Sequence, residues 1–138
     1  MPTLTRWMIK TSLLYLVLAL LVGIFQGAAP ALSATLPFLR SLEPVRVHLF
    51  VVGWITLLIF GVVFWMFPKY SREKPRGHEW LGWAAYALVN VGLILRVFGE
   101  SAAQPGTIFG SLLVVSAILQ WFGGLAFFLN TWPRIKEK

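Results

Sequence analysis

The stretch Arg46-Val-His-Leu-Phe-Val-Val-Gly-Trp-Ile-Thr-Leu-Leu-Ile-Phe-Gly-Val-Val-Phe-Trp-Met-Phe-Pro68 determines the predicted fold. Between His48 and its terminal proline it contains no charged residue. At roughly 1.5 Å per residue, a helix of this length crosses a hydrocarbon core of about 30 Å. The stretch therefore predicts a membrane-spanning helix with a single histidine near its first end.

The composition extends this prediction to the whole chain of 138 residues, which is 58% hydrophobic and has a mean hydropathy of +0.76. A soluble domain of this size could not bury so much apolar surface in one core. We therefore expect an integral membrane protein. The absence of cysteine excludes disulfides, thiolate metal sites and covalent heme attachment through a Cys-x-x-Cys-His motif.

Apolar runs separated by prolines, glycines and charged turns predict four helices, at about residues 12–27, 45–67, 80–98 and 107–132. Pro30, Pro37 and Pro44 are expected to interrupt the chain between the first two helices, and Pro68 to end the second. Short connections predict one domain over residues 1–138, an all-α, up-down four-helix bundle. For the first run, a secretory signal peptide is the alternative, because small residues at 28–34 lie at roughly the cleavage distance.

Basic residues indicate how the bundle is oriented. Nine of the twelve Lys and Arg residues fall on the side of the termini and the second loop, whereas Arg40, Arg46 and Arg96 fall on the other side. The positive-inside rule then places both termini in the cytoplasm and His48 near the outer surface. The net charge of +7 is explained in this way, so we expect the lipid bilayer, and not a nucleic acid, as the partner of these charges.

On a wheel of 100° per residue, His48 shares its face with an aliphatic strip that includes Val52 and Ile55. Such a face suits a porphyrin, because the imidazole can bind iron while the strip packs on the ring plane. The alternative is an interfacial histidine that hydrogen-bonds to a loop carbonyl or to Glu43.

This span resembles the second transmembrane helix of the catalytic subunit of heme-copper oxidases and nitric oxide reductases, and short bacterial proteins similar to its N-terminal part. The matching residues are Arg46-x-His48, Gly53-Trp54, Phe60-Gly61, Phe64 and Pro68. The resemblance implies that His48 is an axial ligand of a b-type heme on the outer side of the cytoplasmic (inner) membrane of a bacterium. It also implies electron transfer or gas or redox sensing as the function.

The chain departs from that family in having only one further histidine, His78, which lies before the third helix on the opposite side of the membrane. The two histidines therefore cannot ligate one iron, and an oxygen-reducing center is not encoded, so the chain is not expected to be an oxidase by itself. A heme on His48 would take its second ligand from a twin protomer or from another subunit, or would have no second protein ligand. The alternative function is a cofactor-free accessory subunit of a larger respiratory or other membrane complex.

Polar residues around the spans complete the candidate set. Arg40, Arg46 and Arg96 are candidate contacts for heme propionates, with simple ion pairing to Glu43 and Glu100 as an equally good account. On the fourth helix, Ser116, Gln120 and Gly124 recur every four residues, a stripe typical of close helix packing. His78, next to Glu79, is read as a solvated helix start. Transport is disfavoured, because no Asp, Glu, Lys or Arg lies near the middle of any span.

Overall fold

The computed structural model describes residues 1–32, 42–73, 75–101 and 108–135, and every regular element in these ranges is helical. The four long helices are α1 (Thr3–Leu32), α2 (Glu43–Met66), α3 (Glu79–Ser101) and α4 (Ile108–Thr131). A 3₁₀ turn, Trp132–Arg134, follows α4. Each of the four is long and apolar enough to cross a membrane. The prediction of an all-α chain with four such helices is confirmed.

The first helix is longer than its apolar run, because it starts at Thr3 instead of near residue 12. Arg6 and Lys10 therefore belong to the helix and not to an arm before it. At the other end the helix includes Pro30 and ends at Leu32, beyond the boundary near residue 27 that the sequence predicts.

The second helix is not regular along its length. Its eight residues from Leu49 to Thr56 are π-helical, with backbone hydrogen bonds between residues five apart. The Thr56 hydroxyl follows the same spacing and donates to the Val51 carbonyl at 2.9 Å. Because the turn is wider here than 3.6 residues, a wheel of 100° per residue does not apply to this segment.

The ends of α2 follow from local chemistry. Glu43 and Pro44 occupy its first turn, where a carboxylate meets the positive end of the helix and proline loses no hydrogen bond. At the other end Phe67 is extended, with φ −64° and ψ 152°, because the following Pro68 disfavours a helical conformation before it.

Long-range contacts show that successive helices run antiparallel. Arg134, after α4, donates to the carbonyl of Phe67 at the end of α2, at 2.9 Å. The starts of α1 and α3 meet the same region, since Thr3, Phe64 and Glu79 line one cavity. We call this the Arg134 end of the bundle. The start of α2 and the end of α3 meet at the opposite end, the His48 end.

The buried core lies between α1, α2 and α3. Its apolar side chains are Leu4, Met8, Tyr15, Ala19, Val45, Leu49, Leu57, Phe60, Phe64, Val89 and Leu93. The fourth helix packs mainly on α3 and reaches the core through Phe127, whose ring stacks on Phe60 with 3.7 Å between centroids. The two outermost helices of this arrangement, α1 and α4, therefore expose long apolar faces.

Candidate functional site

His48 is the last α-helical residue of α2 before the π-helical segment. Its Nδ1 atom lies 2.9 Å from the Pro44 carbonyl oxygen and 3.0 Å from Oε1 of Glu100. The Pro44 carbonyl can only accept a hydrogen bond, and an ionised carboxylate likewise has no hydrogen to donate. The proton of the ring therefore belongs on Nδ1, which donates to both oxygens.

This tautomer determines what the ring can do. With Nδ1 protonated and hydrogen-bonded, Nε2 of the neutral imidazole carries the free electron pair. A carboxylate or carbonyl acceptor on one ring nitrogen is the usual arrangement around histidines that bind metals through the other nitrogen. In the neutral ring, the contacts on Nδ1 would thus leave Nε2 as the nitrogen that can bind a metal or accept a proton.

Glu100 lies in the last turn of α3, and its side chain is only 9% exposed. Its Oε1 atom is shared between His48 and Arg96, whose Nη1 is 3.6 Å away. The other oxygen, Oε2, is buried and has no hydrogen-bond partner among the described residues. A buried carboxylate is costly without a counter-charge, and Arg96 supplies that counter-charge to Glu100.

Arg96 connects this pair to the fourth helix. Its Nε donates to Oγ of Ser116 at 3.1 Å, and Nε2 of Gln120 donates to the same oxygen at 3.2 Å. Ser116 is fully buried. We refer to His48, Glu100, Arg96, Ser116 and Gln120 as the His48 cluster, which joins α2, α3 and α4 near one end of the bundle.

A glycine makes this approach of α3 and α4 possible. A Cβ atom at Gly92 would lie 2.9 Å from Cγ of Gln120 and 3.0 Å from the Ser116 carbonyl oxygen. Both distances are shorter than ordinary van der Waals contact, so a larger residue would push the helices apart. Gly92 therefore positions the two α4 members of the His48 cluster.

Of the arginines that the sequence predicts to bind propionates, Arg96 belongs to the His48 cluster and Arg46 lies at the surface. Arg46 donates from Nε to Oε2 of Glu43 at 3.2 Å, and both side chains are largely exposed. Arg96 pairs with Glu100 inside the His48 cluster. Both arginines thus form the ion pairs that were the alternative to propionate binding, and a propionate role for them stays a prediction. Arg40 lies outside the described residues.

The predicted aliphatic strip falls in the π-helical segment. Val52 is half-buried and packs against the core of α1, α2 and α3. Ile55 is half-buried as well, whereas Val47 and Val51, close to His48 in the chain, are exposed. The porphyrin-packing role of Val52 and Ile55 stays a prediction.

His78 lies at the Arg134 end, where it is exposed, and its carbonyl accepts the Leu81 amide at 3.0 Å in the first turn of α3. This is the solvated helix start that the sequence predicts. Within the described ranges, no group of three or more His, Cys, Asp or Glu residues is placed to hold a metal ion. Any metal on His48 would thus use the imidazole and ligands beyond these residues.

The sequence did not single out Arg134, which is 1% exposed despite its charge. Its guanidinium donates to the carbonyls of Phe64, Phe67 and Pro68 at 3.1, 2.9 and 3.1 Å. These carbonyls belong to the end of α2, where helical partners are missing and the dipole is negative. Arg134 therefore caps α2 from a different helix, an interaction that only the tertiary structure reveals.

Comparisons with protein-family models, with curated proteins and with solved structures find no match to this chain. What can be inferred about function therefore depends on the sequence pattern and on the geometry of the His48 cluster.

Proposed function

We propose that this chain is a multi-pass membrane protein that binds heme b through Nε2 of His48 and acts in electron transfer or in gas or redox sensing. The observation that carries the proposal is the Nδ1 atom of His48, held 2.9 Å from the Pro44 carbonyl and 3.0 Å from Glu100. These two acceptors leave Nε2 as the nitrogen that can bind iron.

In this proposal each member of the site has a separate task. His48 would supply one nitrogen to the iron, Glu100 would orient the imidazole ring through Nδ1, and Arg96 would balance the charge of Glu100. The heme, when bound, supplies one-electron chemistry at its iron. The donor set fits one axial position of a heme and no more, since His78 lies at the other end of the bundle.

The other half of the site would come from a second copy or from another subunit. Val47 and Val51, exposed by 43% and 46%, lie on the outward side of α2 near His48. A porphyrin between this side of the helix and a partner would bury apolar surface on both proteins. No oxygen-reducing center is included in the proposal, so the chain would act as a heme-carrying subunit.

We further propose the cytoplasmic (inner) membrane of a bacterium as the location, with both termini in the cytoplasm. The contacts support it by bringing the start of α1, the end of α4 and the second loop to the same end of the bundle. Among the described residues, that end carries most of the Lys and Arg side chains, and Lys74, Lys136 and Lys138 lie outside the described ranges.

The test is a reduced-minus-oxidised optical spectrum of the purified protein. We expect a b-type band that disappears in His48→Ala and persists in His78→Ala, the matched control at the other histidine. A folded, colourless wild-type protein from heme-sufficient cells would refute heme binding. Equal loss of the band in both variants would show that His48 is not the specific ligand.

The second candidate function is that of a cofactor-free accessory subunit, and the ion pairs within the chain favour it. Arg46 and Arg96 already have carboxylate partners, and the exposed face of α4 presents Trp121 and Phe122. Purification in mild detergent should then return other membrane subunits in fixed stoichiometry, with no heme. A stable, colourless monomer without partners would contradict this candidate.

A further inference from the structure

The first two turns of α1 form a cleft that is lined by polar and positively charged groups. Thr3, Arg6, Trp7 and Lys10 line a cavity of about 160 Å³ at the Arg134 end. All four side chains are exposed. The hydroxyl, guanidinium, indole and ammonium groups all donate hydrogen bonds, and the ammonium and guanidinium are positively charged. The cleft therefore suits a group with several acceptor oxygens and negative charge.

The two cations of this cleft have no counter-charge in the described part of the protein. Within those ranges, Arg46, Arg76 and Arg96 each lie within 4.0 Å of a carboxylate, and none of these ion pairs includes Arg6 or Lys10. Arg134 is occupied by the carbonyls of α2. The charges of Arg6 and Lys10 are thus available to a ligand from outside the described chain.

The helix surface below the cleft indicates what kind of ligand this is. Residues that follow Arg6 and Lys10 on the same face, at helical spacing, are apolar and exposed: Leu13, Leu14, Val17, Leu20 and Leu21. One face of α1 is therefore cationic for its first turns and aliphatic for the next three. An amphiphile with an anionic head and acyl chains matches both parts at once, whereas a free phosphate would use only the first.

We propose that this face of α1 is a binding site for an anionic phospholipid, with the phosphodiester held between Arg6 and Lys10 and the acyl chains lying along the aliphatic face. Guanidinium and ammonium groups near a membrane surface attract anionic lipids electrostatically. Trp7, exposed by 55%, adds an amphipathic ring at the level where head groups meet acyl chains. The site does not depend on heme binding by His48.

Native mass spectrometry of the full chain in detergent, titrated with phosphatidylglycerol and separately with phosphatidylcholine, tests the site. We expect the wild type to bind phosphatidylglycerol at least about tenfold more tightly than phosphatidylcholine. In Arg6→Gln/Lys10→Gln this preference should fall roughly tenfold or more, because each cation near an anionic lipid contributes to binding. The charge-conserving Arg6→Lys/Lys10→Arg variant should keep most of the preference.

The matched control is Lys69→Gln/Arg72→Gln, which removes two exposed charges from the loop at the same end of the bundle. It should keep the preference for phosphatidylglycerol. Equal losses in both neutral double variants would overturn the proposal in favour of diffuse attraction, as would a wild type without preference. Displacement of phosphatidylglycerol by millimolar inorganic phosphate would show a phosphate site without lipid recognition and would also overturn it.

Discussion

At the scale of single residues, the pair of His48 and Glu100 matters most, because a carboxylate on Nδ1 decides which nitrogen of the ring is free. The sequence identifies His48 as the only histidine inside a span, and the spacing of Arg96 and Glu100 as an i, i+4 pair. It does not show that Glu100 reaches His48, because the two residues come from different helices. That contact depends on how the ends of α2 and α3 meet.

Replacing Glu100 with Gln should change the tautomer of His48. An amide oxygen is a weaker acceptor than a carboxylate, and the amide NH2 can donate to an unprotonated Nδ1, so the preference for Nδ1–H falls although the Pro44 carbonyl remains. Nitrogen-15 NMR of labelled histidine in the heme-free protein should show Nδ1–H in the wild type and a larger share of Nε2–H in Glu100→Gln. Glu43→Gln, which alters a carboxylate that pairs with Arg46, should leave the spectrum unchanged. An unchanged tautomer in Glu100→Gln would show that Pro44 alone fixes the ring.

Arg134 should make a large contribution to stability. Arg134→Gln removes most of the hydrogen bonds to Phe64, Phe67 and Pro68 and leaves the carbonyls at the end of α2, including the buried one of Phe64, without this donor. We expect a loss of about 2–4 kcal/mol in the free energy of unfolding, measured by denaturant titration in detergent. Arg72→Gln, at an exposed position of the same end, should change it by less than about 0.5 kcal/mol. Similar losses in both variants would mean that Arg134 acts only through its charge.

At the scale of helices, the contact between α3 and α4 depends on Gly123, although the sequence pattern pointed to Gly124. A Cβ atom at Gly123 would lie 2.6 Å from Cγ2 of Val89 and 3.1 Å from its backbone nitrogen, whereas one at Gly124 meets nothing within 4 Å. Within the bundle, the stripe packs on α3 at Ser116, which accepts a hydrogen bond from Arg96, and at Gln120, which lies against Gly92. Packing of Gly124 against a partner stays a prediction.

These two neighbouring glycines provide a matched pair of variants. Gly123→Ala should destabilise the protein by about 1–3 kcal/mol. The added methyl group would be too close to the buried Val89 side chain and to its backbone nitrogen, so α3 and α4 would have to move apart. Gly124→Ala should be neutral or stabilising by about 0.5–1 kcal/mol, since alanine favours the helix. Denaturant unfolding in detergent compares the two. A Gly124→Ala variant that is as unstable as Gly123→Ala would place a neighbour, such as another subunit, on that face.

The existence of the helices could be predicted from the sequence, because a run of about 20 apolar residues rarely forms anything except a membrane-spanning helix. The exact helix bounds and the type of helical turn could not be predicted from it. The apolar run of α1 starts after Lys10, but backbone hydrogen bonding continues the helix back to Thr3. Within α2, the wheel assumed 3.6 residues per turn, and the π-helical segment from Leu49 to Thr56 breaks that assumption. The residues predicted to accompany His48 were therefore grouped by a periodicity that this segment does not have.

At the scale of the whole molecule, the alternation of helices and the clustering of basic residues point to the same two-sided architecture. The structure brings the loop after α2 and the beginning of α1 to the Arg134 end, and His48 with Glu100 to the other. The sequence predicts this separation from charge alone, since positive loops tend to stay in the cytoplasm. The sequence also offered ion pairing of Arg46 and Arg96 with Glu43 and Glu100, but it could not predict that Glu100 also contacts His48 on another helix.

The orientation can be tested with single cysteines, because the natural chain contains none. Ser101 ends α3 at the His48 end, and Ser71 lies in the loop at the Arg134 end; both are exposed. A thiol reagent that cannot cross the membrane should label Ser101→Cys in intact cells and should label Ser71→Cys only after the membrane is opened. Labelling of both in opened membranes is the control for reactivity. The reverse pattern would place both termini outside and His48 on the cytoplasmic side, and a heme at that site would then exchange electrons with cytoplasmic partners.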